Sequence, residues 1–493
     1  MARRKDVIDN ELEHAESYEQ WKAAAIRSDE KTGLDYWKNV DRSGLYDFKS
    51  IRQRLERLRE LRAKSDNHGL LFALNEGIHG NMGGMGRSIL YKKARFGTKS
   101  LIVEYIEEIG SALLHLASDN ADDISLEEKF EFFQRASHCF GRSALMLSGS
   151  GTLLYFHLGV VKALWEQQLL PPIMSGSSGG ALISALVGTH SRADLAKIFA
   201  PEYIRFEVEK EGGILAGLNM FKRAAISPEA VVKLYERLIP DLTFQEAYHL
   251  TGLQINVSVA PAEKHQSSRL LNAVASPNVM IREAVMASCA FPGAFPAVTL
   301  AAKNQRGERQ AYLASRKWID GSVSDDMPIK RVARLYGVNH FIVSQTNPIA
   351  LPFVTESKEQ HGWGIIKHAM RNTTREWLLA GTKLIAKPVG LNPTLSKVVN
   401  MTSSVLAQTY TGDINILPPR RLHSPIGLLS GRSTEEIMNM IRDGERACWP
   451  HIETIRLQTS VSHVLDRILR DMELRLIADS QQTRTDVAME ANK

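Results

Sequence analysis

Apolar residues along this 493-residue chain are grouped in two ways. From residue 143 they form short unbroken runs that end in glycine turns and resume in helical segments. Ser143-Ala144-Leu145-Met146-Leu147-Ser148 reads as a buried strand and runs into Gly149-Ser150-Gly151-Thr152. Phe156, Val160, Val161, Leu164 and Trp165 then recur at helical spacing. Leu169 to Met174 is a second short apolar run that enters Gly176-Ser177-Ser178-Gly179-Gly180, and Ala181 to Val187 leaves it as a helix of small residues suited to close packing on a sheet. Gly149 to Ser178 is about the length of one strand–helix–strand unit, so a right-handed crossover sets both turns at the carboxyl ends of neighbouring parallel strands. Trp318-Ile319-Asp320 and Phe341-Ile342-Val343 read as further strands, and Lys303 to Arg309 as a surface hairpin or loop.

Elsewhere the pattern is helical. Residues 1 to about 118 alternate helical stretches with polar junctions, and Ser118 to Asp123 is a loop before the helix that leads into the strand region. A helical segment is expected from Trp363 to Ile385, with breaks at Pro388 and Pro393. Ser433-x-x-Glu436 is a capping box for a helix that stops before Trp449-Pro450. Ile452, Ile455, Val461, Leu465, Ile468, Met472 and Leu476 mark a last helix packed on the body, and the polar tail from Asp479 is expected to be disordered. The pattern predicts an α/β protein: a helical N-terminal extension over 1–139, an α/β domain over 140–350 built on a mostly parallel sheet flanked by helices, a helical C-terminal region over 351–478, and a disordered tail over 479–493.

Candidate chemistry sits in the glycine turns. Residues 176–180 form the one Gly-x-Ser-x-Gly match in the chain, against roughly 0.1 to 0.2 expected by chance from Gly and Ser abundance. A serine nucleophile needs such a turn, because its hydroxyl must project from the end of a strand while glycines two residues away, here Gly176 and Gly180, relieve crowding. The Gly149-Ser150-Gly151 loop would then face Ser178 and offer backbone N–H groups to the oxyanion formed on attack at an ester carbonyl. Gly-x-Gly after a strand also opens the dinucleotide-binding fingerprint, but Leu154 occupies the position of its third glycine. A base must take the serine proton, and the residues alone leave Asp320, Asp325 and Asp326 level as candidates.

These motifs carry a resemblance. A glycine loop, Gly-x-Ser-x-Gly, and Asp320-Gly321 over a hundred residues later resemble the patatin-like lipid acyl hydrolases, which use a Ser-Asp dyad without a catalytic histidine. Leu147 to Thr152, Phe156 to Val160, Ser175 to Gly180, Ala287-Ser288-Cys289-Ala290-Phe291-Pro292-Gly293, Trp318 to Ser322 and His340 to Gln345 look like the triacylglycerol-lipase branch. Tyr18 to Trp21, Asp35-Tyr36-Trp37, Leu45-Tyr46-Asp47, Gly77 to Gly86 and Gly97-Thr98-Lys99 look like its helical N-terminal extension. The resemblance implies Ser178 as nucleophile, Asp320 as base, the N–H groups of Gly149, Ser150 and Gly151 as oxyanion hole, and a lipid ester substrate cleaved through an acyl-enzyme, with no metal or other cofactor. Two departures stand out. Ser150 replaces the middle glycine of the oxyanion loop, and Ser322 replaces the second glycine of the Asp-Gly-Gly common in plant patatins. Alternatives are a phospholipase or lysophospholipase, an acyltransferase (though no His-x4-Asp motif is present), a Ser-Asp-His triad using His340 or His368, and a lipid-surface scaffold with a decayed site.

Composition narrows the setting. With 44% hydrophobic and 24% charged residues the chain is globular. Three widely spaced cysteines argue for a reducing, cytoplasmic location, and no secretory signal or membrane span is evident. The expected partner is therefore a membrane or lipid-droplet surface met from the aqueous side, to which a net charge of +6 is suited. Arg52, Arg54, Arg57, Arg59, Arg62 and Lys64 read as a solvated, ion-paired helix face. Arg87, Lys92, Lys93, Arg95 and Lys99, with no acid among them, are a candidate docking patch. Nucleic-acid binding is not expected, since no recognised motif accompanies the charge.

Overall fold

A computed structural model of the chain describes residues 2–205, 228–263, 266–290, 295–348, 350–351, 354, 411–419 and 433–490. The helical segment expected over 363–385, His368 and Phe291-Pro292-Gly293 lie outside the described residues. The chain divides into two compact units, residues 1–142 with 450–493 and residues 143–449.

The first unit is helical. Its core joins helices α1 (Phe48–Ala63), α2 (Ser100–Ala117) and α3 (Leu126–Phe140) to the terminal helix Ile452–Glu490 through Leu55, Ile102, Ile109, Phe132, Val461 and Leu465. The single helical region expected over 351–478 is thus divided, with its last helix packed in the unit formed by the N-terminal extension. The apolar stripe on that helix is clear in the sequence, whereas the surface that receives it is a tertiary property. Its backbone also stays helical to Glu490, past the expected start of disorder at Asp479. The stretch contains no proline or glycine to stop it, and Ala, Gln, Met and Glu are good helix formers.

Both basic stretches belong to this unit. Arg62 makes a bidentate bond to Glu108 at 2.7 and 3.0 Å, Arg59 meets Glu104 at 3.2 Å, and Arg52 meets Asp41 at 2.8 Å, so the first is an ion-paired helix face. The second is largely occupied. Arg87 donates to the Leu45 carbonyl at 3.0 Å, Arg95 pairs with Asp9 at 3.0 Å, and Lys93 lies over the Trp37 ring. Lys99 is buried and donates to the Trp37 and Val40 carbonyls.

Among the described residues the second unit is built on a seven-stranded sheet. Its strands are β1 (Arg142–Leu147), β2 (Ile173–Gly176), β3 (Gln254–Pro261), β4 (Arg269–Leu271), β7 (Trp318–Asp320), β8 (Val338–Ser344) and β9 (Ile414–Ile416). The hairpin β5 (Ala301–Lys303) and β6 (Arg309–Ala311) stands apart and turns through Gly307, as the sequence suggests. The sheet order is β4-β3-β2-β1-β8-β9, with β7 also on β3. β1, β2 and β3 run parallel, as do β8 and β9. Helices α4 (Leu154–Glu166) and α5 (Gly179–Gly188) follow the two glycine turns.

The register of β3 places the site. Val259 pairs with Arg269 of β4 on one side and with Asp320 of β7 on the other. β4 and β7 therefore flank opposite edges of β3, and β7 continues along the edge that β2 occupies as far as the pair Gly176 and Val257. Asp320 lies two residues further along β3, beside the turn that carries Ser178.

Helix α6 (Thr434–Cys448) starts at the expected Ser433–Glu436 capping box and packs on α4. The approach is backbone to backbone: a Cβ at Gly159 would collide with the Ile441 carbonyl, and one at Gly444 with the Phe156 carbonyl. Beside this crossing Lys162 pairs with Glu445. Forcing a side chain into such a contact typically costs about 1–3 kcal/mol. Gly159→Val is expected to lower the thermal midpoint of the second unit by several degrees, read by circular dichroism, while Leu474→Ala, on an exposed position of the terminal helix, leaves it unchanged.

Candidate active site

The Gly176 to Gly180 turn is folded as tightly as its glycines permit. Ser178 holds φ 52 and ψ −122, a region that side chains rarely occupy, and caps the N-terminus of α5. A Cβ at Gly176 would strike the backbone of Gly180, and one at Gly180 would strike the Leu147 carbonyl at the end of β1. The strain at Ser178 is held by hydrogen bonds on both sides: Gly180 N–H donates to the Ser177 carbonyl at 2.9 Å, and Ser178 N–H to the Ser288 hydroxyl at 2.9 Å. Ser288 Oγ donates in turn to the Ser258 carbonyl of β3 at 2.7 Å.

Asp320 is 2% exposed, and its carboxylate accepts hydrogen bonds from the hydroxyls of Ser178 and Ser322 and from Ser322 N–H, the last at 2.8 Å. Burial raises its pKa to about 6, and those hydrogen bonds oppose the rise. Gly321 lies so close to the Ser258 carbonyl that a Cβ there would clash. The departure at Ser322 thus adds a donor to the carboxylate.

The other two carboxylates on this loop have different partners. Asp325 lies 3.4 Å from Arg331 and hydrogen-bonds the Ser268 side chain. Asp326 is buried; its Oδ1 accepts from Gly149 N–H at 2.7 Å and its Oδ2 from the Asn347 side-chain amide at 2.8 Å. Burial raises its pKa to about 7, the two hydrogen bonds oppose this, and nearby Asp320 and Asp325 add to the rise.

Gly149 N–H is therefore committed to a carboxylate, which corrects the expectation that all three loop amides face an oxyanion. Ser150 N–H and Gly151 N–H have no acceptor among the described residues. The departure at Ser150 is accommodated because its hydroxyl lies where a side chain at position 179 would be, and that position is glycine.

Sequence reading passed over several groups here. Cys289 hydrogen-bonds both Ser178 and Tyr235, and burial pushes its thiol up to about 12. Tyr235 is likewise raised by burial, with Cys289 and Asp320 adding to the shift. Ala287 to Ala290 belongs to the motifs that carry the resemblance, but nothing in them indicates a thiol beside Ser178. His340 does not join the site. It lies in the first half of β8 and bonds Ser143 at 2.9 Å, at the opposite end of the sheet from Ser178. His157 is buried against the glycine loop, with Nε2 3.0 Å from the Ser148 carbonyl and Nδ1 2.8 Å from Ser344 Oγ. A carbonyl can only accept, so Nε2 carries the proton, and burial lowers the ring's pKa to about 4 and keeps it neutral. Among the described residues no His, Cys, Asp and Glu side chains converge as a metal site.

The strand end, strained serine, buried carboxylate and glycine loop converge at one rim of a parallel sheet, and comparison with known proteins gives that arrangement a family. Residues 145–333 match the family described as patatin-like phospholipase, and residues 1–138 match a domain of unknown function, DUF3336. The chain is 30% identical to a patatin-like phospholipase domain-containing protein of Meyerozyma guilliermondii over 94% of its own length and 67% of that protein's. This chain belongs to the patatin-like phospholipase family. It is also 34% identical to triacylglycerol lipase 4 of Saccharomyces cerevisiae over 96% of its length, and 32% identical to triacylglycerol lipase SDP1L of Arabidopsis thaliana over 94%. It spans 54% and 59% of those two relatives. Among the described residues no helix is long and apolar enough to cross a membrane.

A carboxyl raised from 3.8 to about 6 opposes folding wherever it must ionise. Its contribution to stability is fully present below its unfolded pKa near 4 and is lost as pH rises through about 6. Two pKa units correspond to roughly 3 kcal/mol at full ionisation. Asp320→Asn, which keeps a carbonyl acceptor for Ser178 and Ser322, is expected to raise the thermal midpoint at pH 8 and to change it little at pH 4, as measured by differential scanning fluorimetry. Equal shifts at both pH values would contradict the assignment of the raised pKa to Asp320.

Proposed function

We propose that the chain is a serine hydrolase that cleaves carboxylic esters of acylglycerols, with Ser178 as nucleophile and Asp320 as its base. The observation that carries this reading is the hydrogen bond from the Ser178 hydroxyl to a buried carboxylate whose pKa lies near working pH. Ser178 Oγ attacks the acyl carbonyl carbon as its proton passes to Asp320. The oxyanion is met by the N–H groups of Ser150 and Gly151, and Gly179 N–H, next to the nucleophile in the chain, is a further donor in reach of the same position. As the carbonyl re-forms, the ester C–O bond breaks and the alcohol leaves with the proton. Water then attacks the acyl-enzyme, gives one proton to Asp320, and the proton returns to Ser178 as the fatty acid departs.

Acylglycerols are favoured as substrate class by the two relatives named as triacylglycerol lipases. The chain acts at a membrane or lipid-droplet surface as a peripheral protein in the cytoplasm. Purified protein and its Ser178→Ala variant are incubated with emulsions of tri-, di- and monoacylglycerol, phosphatidylcholine and lysophospholipid, and released fatty acid is measured. Release from acylglycerols by the wild type, at least a thousandfold above Ser178→Ala, is expected. Preference for phosphatidylcholine would make it a phospholipase on the same scaffold, and equal release from both proteins would remove Ser178 from the mechanism.

The pH dependence follows from the base. Asp320 accepts a proton only when ionised, so kcat/KM on a soluble short-chain ester should fall about tenfold per pH unit below about 6 and level off above it. A rate that stays flat down to pH 4 would exclude this carboxylate as the base.

A further inference from the structure

The first amide of the glycine loop is held by a carboxylate that forms no part of the proposed dyad. Gly149 N–H donates to Asp326 Oδ1 at 2.7 Å, and Asp326 Oδ2 accepts from the Asn347 amide at 2.8 Å. Asn347 is fixed from its other side, because its backbone N–H donates to Gln345 Oε1 at 2.7 Å and to Ser148 Oγ at 3.1 Å. Ser148 Oγ also accepts from Thr346 N–H at 2.8 Å. The residue before the loop and the residues after β8 are thereby tied to one another, and Asp326 closes the ring onto the loop itself. All of these side chains are buried. Space is as restricted as bonding: a Cβ at Gly149 would come within 3.0 Å of Ser322 Cβ and 3.2 Å of Asp326 Oδ1.

We propose that Asp326 is a positioning residue for the oxyanion loop, clamping Gly149 between the Asp-Gly turn and the end of β8 so that the amides of Ser150 and Gly151 are held for the oxyanion formed at Ser178. The inference rests on the reading of Ser178 as nucleophile. It gives a function to a buried carboxylate whose removal from water is only partly offset by its hydrogen bonds to Gly149 and Asn347. Charge also matters, because an ionised acceptor binds an N–H more tightly than a carbonyl does. Oxyanion donors act through placement, and a displacement of about 1 Å reduces rate roughly 100-fold. The consequence for kinetics is specific. A loosened loop should slow the chemical step and leave the binding of the ester chain intact.

The test uses the full-length chain and three variants, Asp326→Leu, Asp326→Asn and Asn347→Ala, beside Ser178→Ala. Leu removes both acceptors at similar volume, whereas Asn keeps a carbonyl for Gly149. The readouts are kcat and KM on a soluble p-nitrophenyl ester, the rate of labelling by a fluorophosphonate, and the thermal midpoint. Asp326→Leu is expected to lower the thermal midpoint, because the buried Gly149 and Asn347 donors lose their acceptor, while kcat and labelling fall together by roughly 10- to 100-fold, with KM within about twofold. Asp326→Asn is expected to recover most of that loss. Wild-type kcat in Asp326→Leu, a loss confined to KM, or equal losses in the Leu and Asn variants would overturn the assignment. If the Leu variant does not fold, Asn347→Ala decides: a fall in kcat of threefold or more at constant KM supports the clamp, and wild-type kcat overturns it. A wild-type protein that the fluorophosphonate fails to label, or a Ser178→Ala variant as active as wild type, would instead defeat the nucleophile assignment, and the clamp with it.

Discussion

The architecture of the second unit depends on a place where side chains are excluded. At the carboxyl rim of the sheet the turn after β2 passes directly under the end of β1, with Gly180 against the Leu147 carbonyl and Gly176 against Gly180. Gly321 meets β3 in the same manner at Ser258. Protein interiors are close-packed, so one methyl group at any of these positions would displace a strand end. The exclusion allows Ser178 to be held in a strained conformation: the chain reverses in too little space for an ordinary turn, and hydrogen bonds to Ser177 and Ser288 keep it there. Strain of this kind persists only where the surroundings over-determine it.

What could be read from the sequence was local. The strands at 143–148 and 318–320, the two glycine turns, the hairpin through Gly307 and the capping box at Ser433 are each written in a few consecutive residues, and the structure has them. The choice of Asp320 over Asp325 and Asp326 was not local. It depends on β7 taking over from β2 along the edge of β3, a pairing between segments about sixty residues apart that nothing in the sequence reading anticipated; the resemblance pointed to Asp320 without it. Once that register is known, the three carboxylates separate by their partners: a serine hydroxyl for Asp320, an arginine for Asp325, a backbone amide for Asp326. The same limit explains the last helix. Its apolar stripe was plain, yet the unit that buries it is set by the faces of α2 and α3.

Electrostatics at the rim follows one pattern. Asp320 and Asp326 are both raised by burial, His157 is lowered by burial, and the Cys289 thiol is pushed up by it. Burial thus drives each group toward its neutral form, and hydrogen bonds oppose it. At the two carboxylates they favour the charge. Those bonds come from Ser178 and Ser322 at Asp320, and from Gly149 and Asn347 at Asp326. Because the two carboxylates repel, each must be compensated locally, and the compensating donors include the hydroxyl of Ser178, the proposed nucleophile, and the first amide of the glycine loop. The groups that make ionisation tolerable in this buried place are thus the ones whose positions the proposed reaction requires, so stability and chemistry constrain the same few atoms.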